Sequence, residues 1–366
     1  MKVTDTVLPT TMVGSYPRPQ WFTQQLLGRD IRVAFKEVRH EEAYHDATEV
    51  SIHDQEEAGL DIVTDGQMYF DDYVGVIGSF CWYMYERIPG FEAAKEKHPL
   101  EAVVQVRTKE IELFADWGGV INSGPVARGP IRLVDLYQVA AKYATRPLKV
   151  SVGAGPVNLA WHVYFKHYKD SRELSFALAP LFNAEMKELV EAGATYLQIE
   201  DLGAWMPLFS GNDADYAWIG EVIAQCVDGV KAKVAWHFCF GNAWGNALSG
   251  IFPKGYETVL PHYYNVPVDQ FVLDFANREM AGIEALQDLP KDKDLQIGVL
   301  DIRTMMIESP EQVAERIRKV LKVVPAERVT LSTDCGMKPL PRMVAKMKLK
   351  ALVDGAKIVR KELGIA

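Results

Sequence analysis

The sequence has few cysteines, no long apolar run and no excess of basic residues, and each absence argues against a class of protein. Four cysteines in 366 residues are too few and too scattered for a disulfide framework. No stretch approaches the roughly 18 consecutive apolar residues of a transmembrane helix. The net charge of −9 argues against nucleic acid or an anionic membrane as the main partner.

The amino terminus also lacks the apolar run and cleavage site of a signal peptide. Together with the sparse cysteines, this predicts a cytoplasmic protein with reduced thiols. The composition, 48% hydrophobic and 24% charged, is that of an ordinary globular protein. Homo-oligomers are common among soluble enzymes, and the sequence leaves the oligomeric state open.

Short apolar runs alternate with helical patterns along the chain. Each run is rich in Val, Ile or Leu and ends in a small or polar residue, which is typical of a parallel strand buried on both faces. Eight such runs with helices between them predict an α/β fold, a (β/α)8 TIM barrel. The runs cover residues 11–15, 61–65, 149–153, 196–200, 233–239, 271–275, 296–300 and 328–333.

One connection is far longer than the few residues usual in such barrels. It runs over residues 67–147, between the second and third predicted strands. Within it, residues 103–117 alternate like a strand, and residues 134–143 have a helical pattern. We interpret residues 1–366 as one barrel domain whose insert, 67–147, covers the barrel mouth. A small separate domain is the alternative.

Unusual polar residues follow almost every predicted strand. Because the carboxyl ends of barrel strands meet at one rim, where active sites of this fold form, these side chains are expected to converge. They are Ser15, Asp65, Gln67, Glu200, Asp201, His237, Cys239, Asp274, Asp301, Asp334 and Cys335.

His237 and Cys239 form an H-x-C pair, and residues two apart on a strand point to the same face. Cys335 follows the last strand and is expected at the same rim. One imidazole and two thiolates suit Zn²⁺, with Asp274, a water or a substrate atom as the fourth ligand. A core histidine and a structural cysteine are the alternative. Cys81 and Cys226 lack such neighbours and are expected to serve packing.

The chain resembles a known family. It is similar to the catalytic half of cobalamin-independent methionine synthase and to its single-barrel relatives. The resemblance lies in LPTTMVGSYPRP, GLDIVTDGQ, VGAGPVNLAW, YLQIED, WHFCFGN, LDFAN, IGVLDI and STDCGMKPL, which occur in colinear order. It implies a zinc-dependent enzyme that forms a carbon–sulfur bond between a small thiol and an alkyl donor.

The resemblance also assigns roles to individual residues. His237, Cys239 and Cys335 match three zinc ligands, and Asp274 stands where the family has a glutamate ligand. The remaining matches concern substrates. Gly14 and Ser15 match the motif that holds the acceptor's carboxylate, and Glu200 matches an acidic residue that contacts its amino group. Trp161 lies beside a tryptophan that stacks on the folate donor, and it is expected to replace that residue.

Two residues depart from the family pattern. Gln67 stands where methionine synthases have a glutamate that pairs with the amino group of homocysteine. Arg303 stands where they have a histidine, and an arginine cannot act as a base. An acceptor with an anionic end and no amino group fits both changes. We therefore predict an epoxyalkane:coenzyme M transferase, with Arg18 as a second sulfonate contact. Methyl transfer to homocysteine from a methylated folate or corrinoid is the alternative.

Each of these residues also has a plainer interpretation. The alternatives are that Arg18 is a surface residue, that Arg303 forms an ion pair with Asp301 or Glu308, and that Gln67 is a neutral replacement without a change of substrate. Asp301 and His262 are the catalytic candidates. Asp301 is expected to orient its neighbours. His262 is expected to protonate a leaving alkoxide, and the alternative is that it is a loop histidine without a catalytic role. At the level of the whole chain, a metal-free decarboxylase-like barrel and a non-catalytic binding barrel stay open.

Overall fold

The protein is a barrel of parallel strands surrounded by helices. The computed structural model describes residues 2–22, 38–69, 81, 83–97, 118–161, 163–243, 246–247 and 254–365. Among these residues the strands, in chain order, are β1 (Val63–Thr64), β2 (Phe91–Lys97), β3 (Gly118–Asn122), β4 (Leu148–Ala154), β5 (Val163–Phe165), β6 (Tyr196–Glu200), β7 (Lys233–His237), β8 (Asn242–Ala243), β9 (Asn246–Ala247), β10 (Gln270–Asp274), β11 (Asp294–Leu300) and β12 (Val329–Thr333).

The α-helices of the described residues are numbered in the same way. They are α1 (Val38–Ala58), α2 (Leu133–Tyr143), α3 (Pro156–Trp161), α4 (Ser171–Glu191), α5 (Met206–Ser210), α6 (Ala214–Val227), α7 (Tyr256–Val259), α8 (Pro310–Val320) and α9 (Arg342–Glu362). None of the helices in this described part of the chain is both long and apolar enough to cross a lipid bilayer.

Seven strands form one parallel sheet in the order β1-β4-β6-β7-β10-β11-β12. The start of the chain closes it. Thr11 N donates to Leu331 O at 2.9 Å, and Leu331 N donates to Pro9 O at 2.8 Å. On the other side, Ile62 N donates to Thr10 O at 3.1 Å. The segment 9–13 thus occupies the eighth position between β12 and β1, and the predicted eight-stranded barrel is confirmed.

Seven of the predicted runs coincide with barrel strands to within about two residues at each end, the usual uncertainty of strand boundaries. The first run, 11–15, differs because its backbone makes bridges to both neighbours without forming a continuous ladder. The fifth run, 233–239, is among these seven, but β7 ends at His237, so Cys239 lies just beyond the strand.

The helices begin and end where local capping groups require it. α4 begins at Ser171, because Asp170 accepts a hydrogen bond from Glu173 N and caps the helix. α8 is capped by Ser309, and Gln312 reaches back to complete a capping box. α9 follows the last barrel strand and spans Arg342–Glu362.

The long insert contains a helix and two strands among its described residues. β2 pairs antiparallel with β3, and β3 pairs parallel with β5, which follows the barrel strand β4. The predicted helix at 134–143 is present as α2. The strand predicted at 103–117 lies outside the described residues. The single-domain organisation and the covering role of 67–147 stay predictions.

The barrel interior holds a buried amine among polar side chains. Lys149 Nζ donates to Met12 O and to Gln296 Oε1, each at 2.8 Å, and its side chain is almost fully buried. Burial lowers the pKa of Lys149 from its usual value near 10.5 to about 7. The amine is therefore largely neutral above neutral pH in the folded chain.

This lowered pKa predicts a pH-dependent stability difference between the wild type and Lys149→Met. Between about pH 7 and pH 10 the unfolded chain keeps a proton on Lys149 that the folded chain loses, so the wild-type free energy of unfolding rises with pH. Relative to the variant, the wild type should gain on the order of 2 to 3 kcal/mol from about pH 7 to about pH 9.5. Urea unfolding at both pH values measures this.

The exposed Lys231 supplies the control. The difference in free energy of unfolding between the wild type and Lys231→Met should change little with pH. A pH-independent difference between the wild type and Lys149→Met would show that Lys149 keeps its proton in the folded barrel.

Candidate metal centre

One imidazole and two thiols meet at the carboxyl ends of β7 and β12. His237 is the last residue of β7, Cys239 follows two residues later, and Cys335 lies two residues beyond β12. Their metal-binding atoms all lie within 4.8 Å of one another. We call these residues the His–Cys–Cys group. The structure thus brings together the three residues that the sequence predicted as ligands.

The sulfur spacing fits a metal ion better than a disulfide. Cys239 Sγ and Cys335 Sγ are 3.5 Å apart, whereas a disulfide bond is about 2.0 Å long. Two thiolates at about 2.3 Å from one tetrahedral zinc ion lie about 3.8 Å apart. Only a small adjustment of the two side chains would therefore bring both sulfurs onto zinc.

The histidine supports the same conclusion. Its Nε2 is buried and has no hydrogen-bond partner among the described residues. Buried polar atoms almost always have a partner, so this nitrogen marks a place for a further group. Its Nδ1 lies 3.2 Å from Glu200 Oε2. Zinc-binding histidines commonly bond a carboxylate in this way through their second nitrogen, so the residues present fit a zinc ion.

Glu200 is placed beside His237 by the sheet, because the last residues of β6 and β7 are in register. Its Oε1 accepts hydrogen bonds from Gln67 Nε2 at 2.5 Å and from Ser151 Oγ at 2.9 Å. Burial acts to raise the pKa of Glu200, but the interactions with His237, Ser151 and Gln67 outweigh it and hold the pKa below the usual range. Glu200 is therefore an ionised carboxylate, and 14% of its side chain is exposed.

The two thiols differ in acidity. The pKa of Cys335 lies below that of an ordinary cysteine, first because its sulfur accepts a hydrogen bond from Cys239, and then because His237 and Arg303 are close. The pKa of Cys239 is raised by donating that hydrogen bond and by burial. The pair is therefore ready to lose its first proton from Cys335, and a metal ligand must be a thiolate.

Asp274, the predicted fourth ligand, is not in the His–Cys–Cys group. Its Oδ1 accepts hydrogen bonds from Tyr256 Oη at 2.6 Å and from Phe240 N at 3.2 Å. Its Oδ2 accepts from Arg303 Nη2 at 2.9 Å and from Asn277 Nδ2 at 3.0 Å. The carboxylate therefore faces its own buried network, and binding of a metal by Asp274 is not tested by this placement.

Arg303 belongs to the same network. Besides Asp274, its guanidinium contacts Asp334 Oδ2 at 3.3 Å and donates to Gly241 O at 2.6 Å. Only 3% of the side chain is exposed. The predicted role as a sulfonate contact is not supported by this placement, and the alternative ion pair with Asp301 or Glu308 is not formed either. We call Arg303, Asp274 and Asp334 the rim ion-pair network.

The two predicted catalytic residues lie outside the His–Cys–Cys group. Asp301 Oδ1 accepts from Arg303 N at 2.9 Å, which fits an orienting role. His262 is exposed and stacks on Tyr216, with ring centroids 3.9 Å apart. No contact within the described residues connects His262 to the group. The plainer interpretation, a loop histidine, agrees better with this position.

The predicted substrate residues on the first segment lie beside the site. A Cβ atom added to Gly14 would lie 2.5 Å from Gln67 Nε2 and 3.2 Å from Glu200 Oε1, so a larger residue there would displace the Gln67 amide. One added to Gly336 would lie 1.9 Å from Ser15 Oγ, which places Ser15 against the Cys335 turn.

The other two predicted substrate residues are placed differently. Arg18 is buried, contrary to the surface alternative, and its Nη2 donates to Gln67 O at 2.8 Å. Trp161 ends α3, which follows β4 directly at the rim, and its ring lies 5.7 Å from that of Phe209. Stacking of Trp161 on a donor stays a prediction.

Sequence reasoning missed three residues that organise this rim. Ser151 supports Glu200, Asn277 bridges Asp274 and Asp334, and Tyr256 holds Asp274. Asn277 is the last residue of the LDFAN motif, so the motif is the sequence signal for it. Tyr256 lies in a connection without a motif, and only the fold brings it to the rim.

Comparisons with known proteins identify the family of this chain. The profile described as "Cobalamin-independent synthase, Catalytic domain" matches residues 8–358. The methionine synthase of Saccharolobus solfataricus is 32% identical over 364 residues, covering 98% of this chain and 96% of the relative. That of Sulfolobus acidocaldarius is 32% identical over 365 residues, covering 98% and 94%.

A solved structure, a B12-independent methionine synthase from Shewanella sp. W3-18-1 in complex with selenomethionine, superposes with a TM-score of 0.79. It is 28% identical and covers 99% of this chain and 100% of its own. The residues that the profile matches, 8–358, include the whole rim described above. The chain therefore belongs to the family of the cobalamin-independent synthase catalytic domain.

Proposed function

We propose that this protein is a zinc-dependent methyltransferase that methylates the thiol of homocysteine. The observation that carries the proposal is the His–Cys–Cys group, in which His237 Nε2 is buried and has no partner among the described residues. Family membership and the methionine synthases that match almost the whole chain support it. The Shewanella relative holds selenomethionine, the selenium analogue of the expected product.

In the proposed reaction the thiol gives its proton to water, a carbon–sulfur bond forms, and the bond between the methyl carbon and its donor breaks with its electron pair left on the donor. His237, Cys239 and Cys335 would hold the zinc, which would supply Lewis acidity that favours the thiolate form of the acceptor. The thiolate is the form that attacks carbon, and a free thiol with a pKa near 8.5 rarely adopts it at neutral pH. The protein must also hold the acceptor and the donor in line, which contributes strongly to such rates. A methylated folate or a corrinoid is the donor class.

Glu200 favours an acceptor with an amino group. It is an ionised carboxylate, partly exposed, and joined to the His–Cys–Cys group through His237. An ammonium group is the natural partner of such a carboxylate. Gly14 lies beside Gln67 and Glu200, and Ser15 O accepts a hydrogen bond from Met337 N just after the Cys335 turn, so these predicted substrate residues lie near the group.

The grounds for coenzyme M weaken in the folded chain. That expectation depended on Arg303 as an anion site and on the neutral Gln67. The guanidinium is buried and already bonded to Asp274 and Asp334, and the Gln67 amide bonds Glu200. A sulfonate would need another cation. The homocysteine alternative is therefore the better supported function, and coenzyme M becomes a comparison substrate in its test.

Substituting each ligand cysteine tests the proposal. Cys239→Ala and Cys335→Ala should each lose zinc and reduce kcat/KM for homocysteine methylation by more than about 100-fold, because even residues behind the ligands contribute about 10–100-fold. Cys226→Ala, which alters a buried cysteine of α6, should keep both. Metal analysis and thiol-consumption assays with homocysteine and with coenzyme M provide the measurements.

Three results would count against the proposal. A wild-type protein that binds no zinc favours the decarboxylase-like or non-catalytic barrel. Thiol consumption with coenzyme M and an epoxide, but none with homocysteine and a methyl donor, favours the epoxide-opening enzyme. Full activity of Cys335→Ala would remove the group from the reaction.

Glu200→Gln should separate the carboxylate's charge from its shape. We expect zinc affinity to fall about 10–100-fold, because His237 loses its ionised partner, and KM for homocysteine to rise. Competition with a chromophoric chelator measures the first effect and steady-state kinetics the second. Glu185→Gln, which changes a buried glutamate paired with Arg128, is the matched control. Unchanged zinc affinity in Glu200→Gln would contradict the role of Glu200 behind His237.

A further inference from the structure

Two departures from the family pattern meet in one interaction. By resemblance, Asp274 stands at a glutamate ligand and Arg303 at a histidine. In the folded chain Arg303 Nη2 and Asp274 Oδ2 are 2.9 Å apart, with 3% and 0% of their side chains exposed. The shorter acid and the new cation are therefore partners, and their roles must be considered together.

The Asp274 carboxylate is directed toward the donors of its own network. Four donor groups lie within hydrogen-bond distance of it: Tyr256 Oη and Phe240 N at one oxygen, Asn277 Nδ2 and Arg303 Nη2 at the other. Turning the carboxylate toward the cysteines would leave the buried guanidinium without this partner, which is strongly unfavourable.

The rim ion-pair network also joins the two chain segments that carry the cysteines. Arg303 donates to Gly241 O, two residues after Cys239, and Asp274 accepts from Phe240 N. On the other side Arg303 contacts Asp334, the residue before Cys335.

The two turns that carry Cys239 and Cys335 are also held by residues outside the rim ion-pair network. Trp205 Nε1 donates to Cys239 O, and Thr333 Oγ1 donates to Cys335 O, each at 2.9 Å. The sulfur spacing of 3.5 Å is therefore set by bonds around both turns.

We propose that the metal of this protein has three protein ligands, His237, Cys239 and Cys335, and that Arg303 with Asp274 is a positioning pair that holds the two cysteine turns. A zinc ion held by these three residues would keep one coordination position open, which the substrate sulfur would take. This inference rests on the proposed zinc function and adds to it which residue does not bind the metal.

A crystal structure of the wild type grown with zinc tests the ligand set without any substitution. We expect both Asp274 oxygens to stay on their present donors, more than about 3 Å from the zinc, and homocysteine to add its sulfur as the fourth ligand. An Asp274 oxygen at the bonding distance of about 2.0–2.2 Å would overturn the inference.

Cobalt substitution tests the positioning role in solution. Asp274→Asn and Arg303→Gln should each keep the positions of the d–d bands and the thiolate charge-transfer bands of the Co²⁺ protein, and each should lower Co²⁺ affinity about 10–100-fold. Because the two residues act as one unit, the double variant should lose little more than either single variant. Asp54→Asn, a buried aspartate paired with Arg342, is the matched control and should keep wild-type affinity.

The outcomes distinguish a wrong ligand set from a wrong proposed function. A shift of the d–d bands in Asp274→Asn, with none in Arg303→Gln, would identify Asp274 as a ligand and overturn the inference while leaving the zinc function standing. Wild-type affinity in Arg303→Gln would remove the positioning role. Failure of the wild type to bind zinc or Co²⁺ would instead remove the proposed function. If a variant fails to fold, the wild-type crystal structure still decides the ligand set.

Discussion

The pairing of the chain's start with its last barrel strand is the constraint on which the rim depends. Thr11 and Leu331 are joined by a backbone hydrogen bond, and Val13 N donates to Thr333 Oγ1 at 3.1 Å. These contacts close a ring that otherwise ends at β12 and β1. With the ring closed, Ser15 lies against the Cys335 turn. A parallel barrel places all strand ends at one rim, so closure turns scattered polar residues into one site.

The second constraint is that buried charges need partners. It decides which rim residues are used within the protein and which face a ligand. Arg303, Asp274 and Asp334 satisfy one another, so they form a scaffold. Within the described part of the chain the His237 ring is bonded only through Nδ1, to Glu200, and its buried Nε2 has no partner there. The division between the scaffold and the proposed metal ligands follows from these hydrogen bonds.

Much of this could be predicted before the fold was known. Apolar runs of strand length located seven barrel strands closely, because strands buried on both faces need nearly continuous apolar sequence. Barrel topology then predicted that His237, Cys239 and Cys335 converge. The orientations of Asp274 and Arg303 could not be predicted in the same way. Side chains that follow strands share a rim, but sequence does not say which of them pair.

By itself the sequence determined the barrel, the rim and the identity of the imidazole and the two thiols, because strand periodicity and residue chemistry are local properties. The tertiary structure alone decided that Asp274 turns to Arg303 and that Glu200 stands behind His237. These choices depend on competition for hydrogen bonds among residues far apart in the chain. A buried carboxylate accepts from the donors that surround it, and only the folded barrel shows which donors those are.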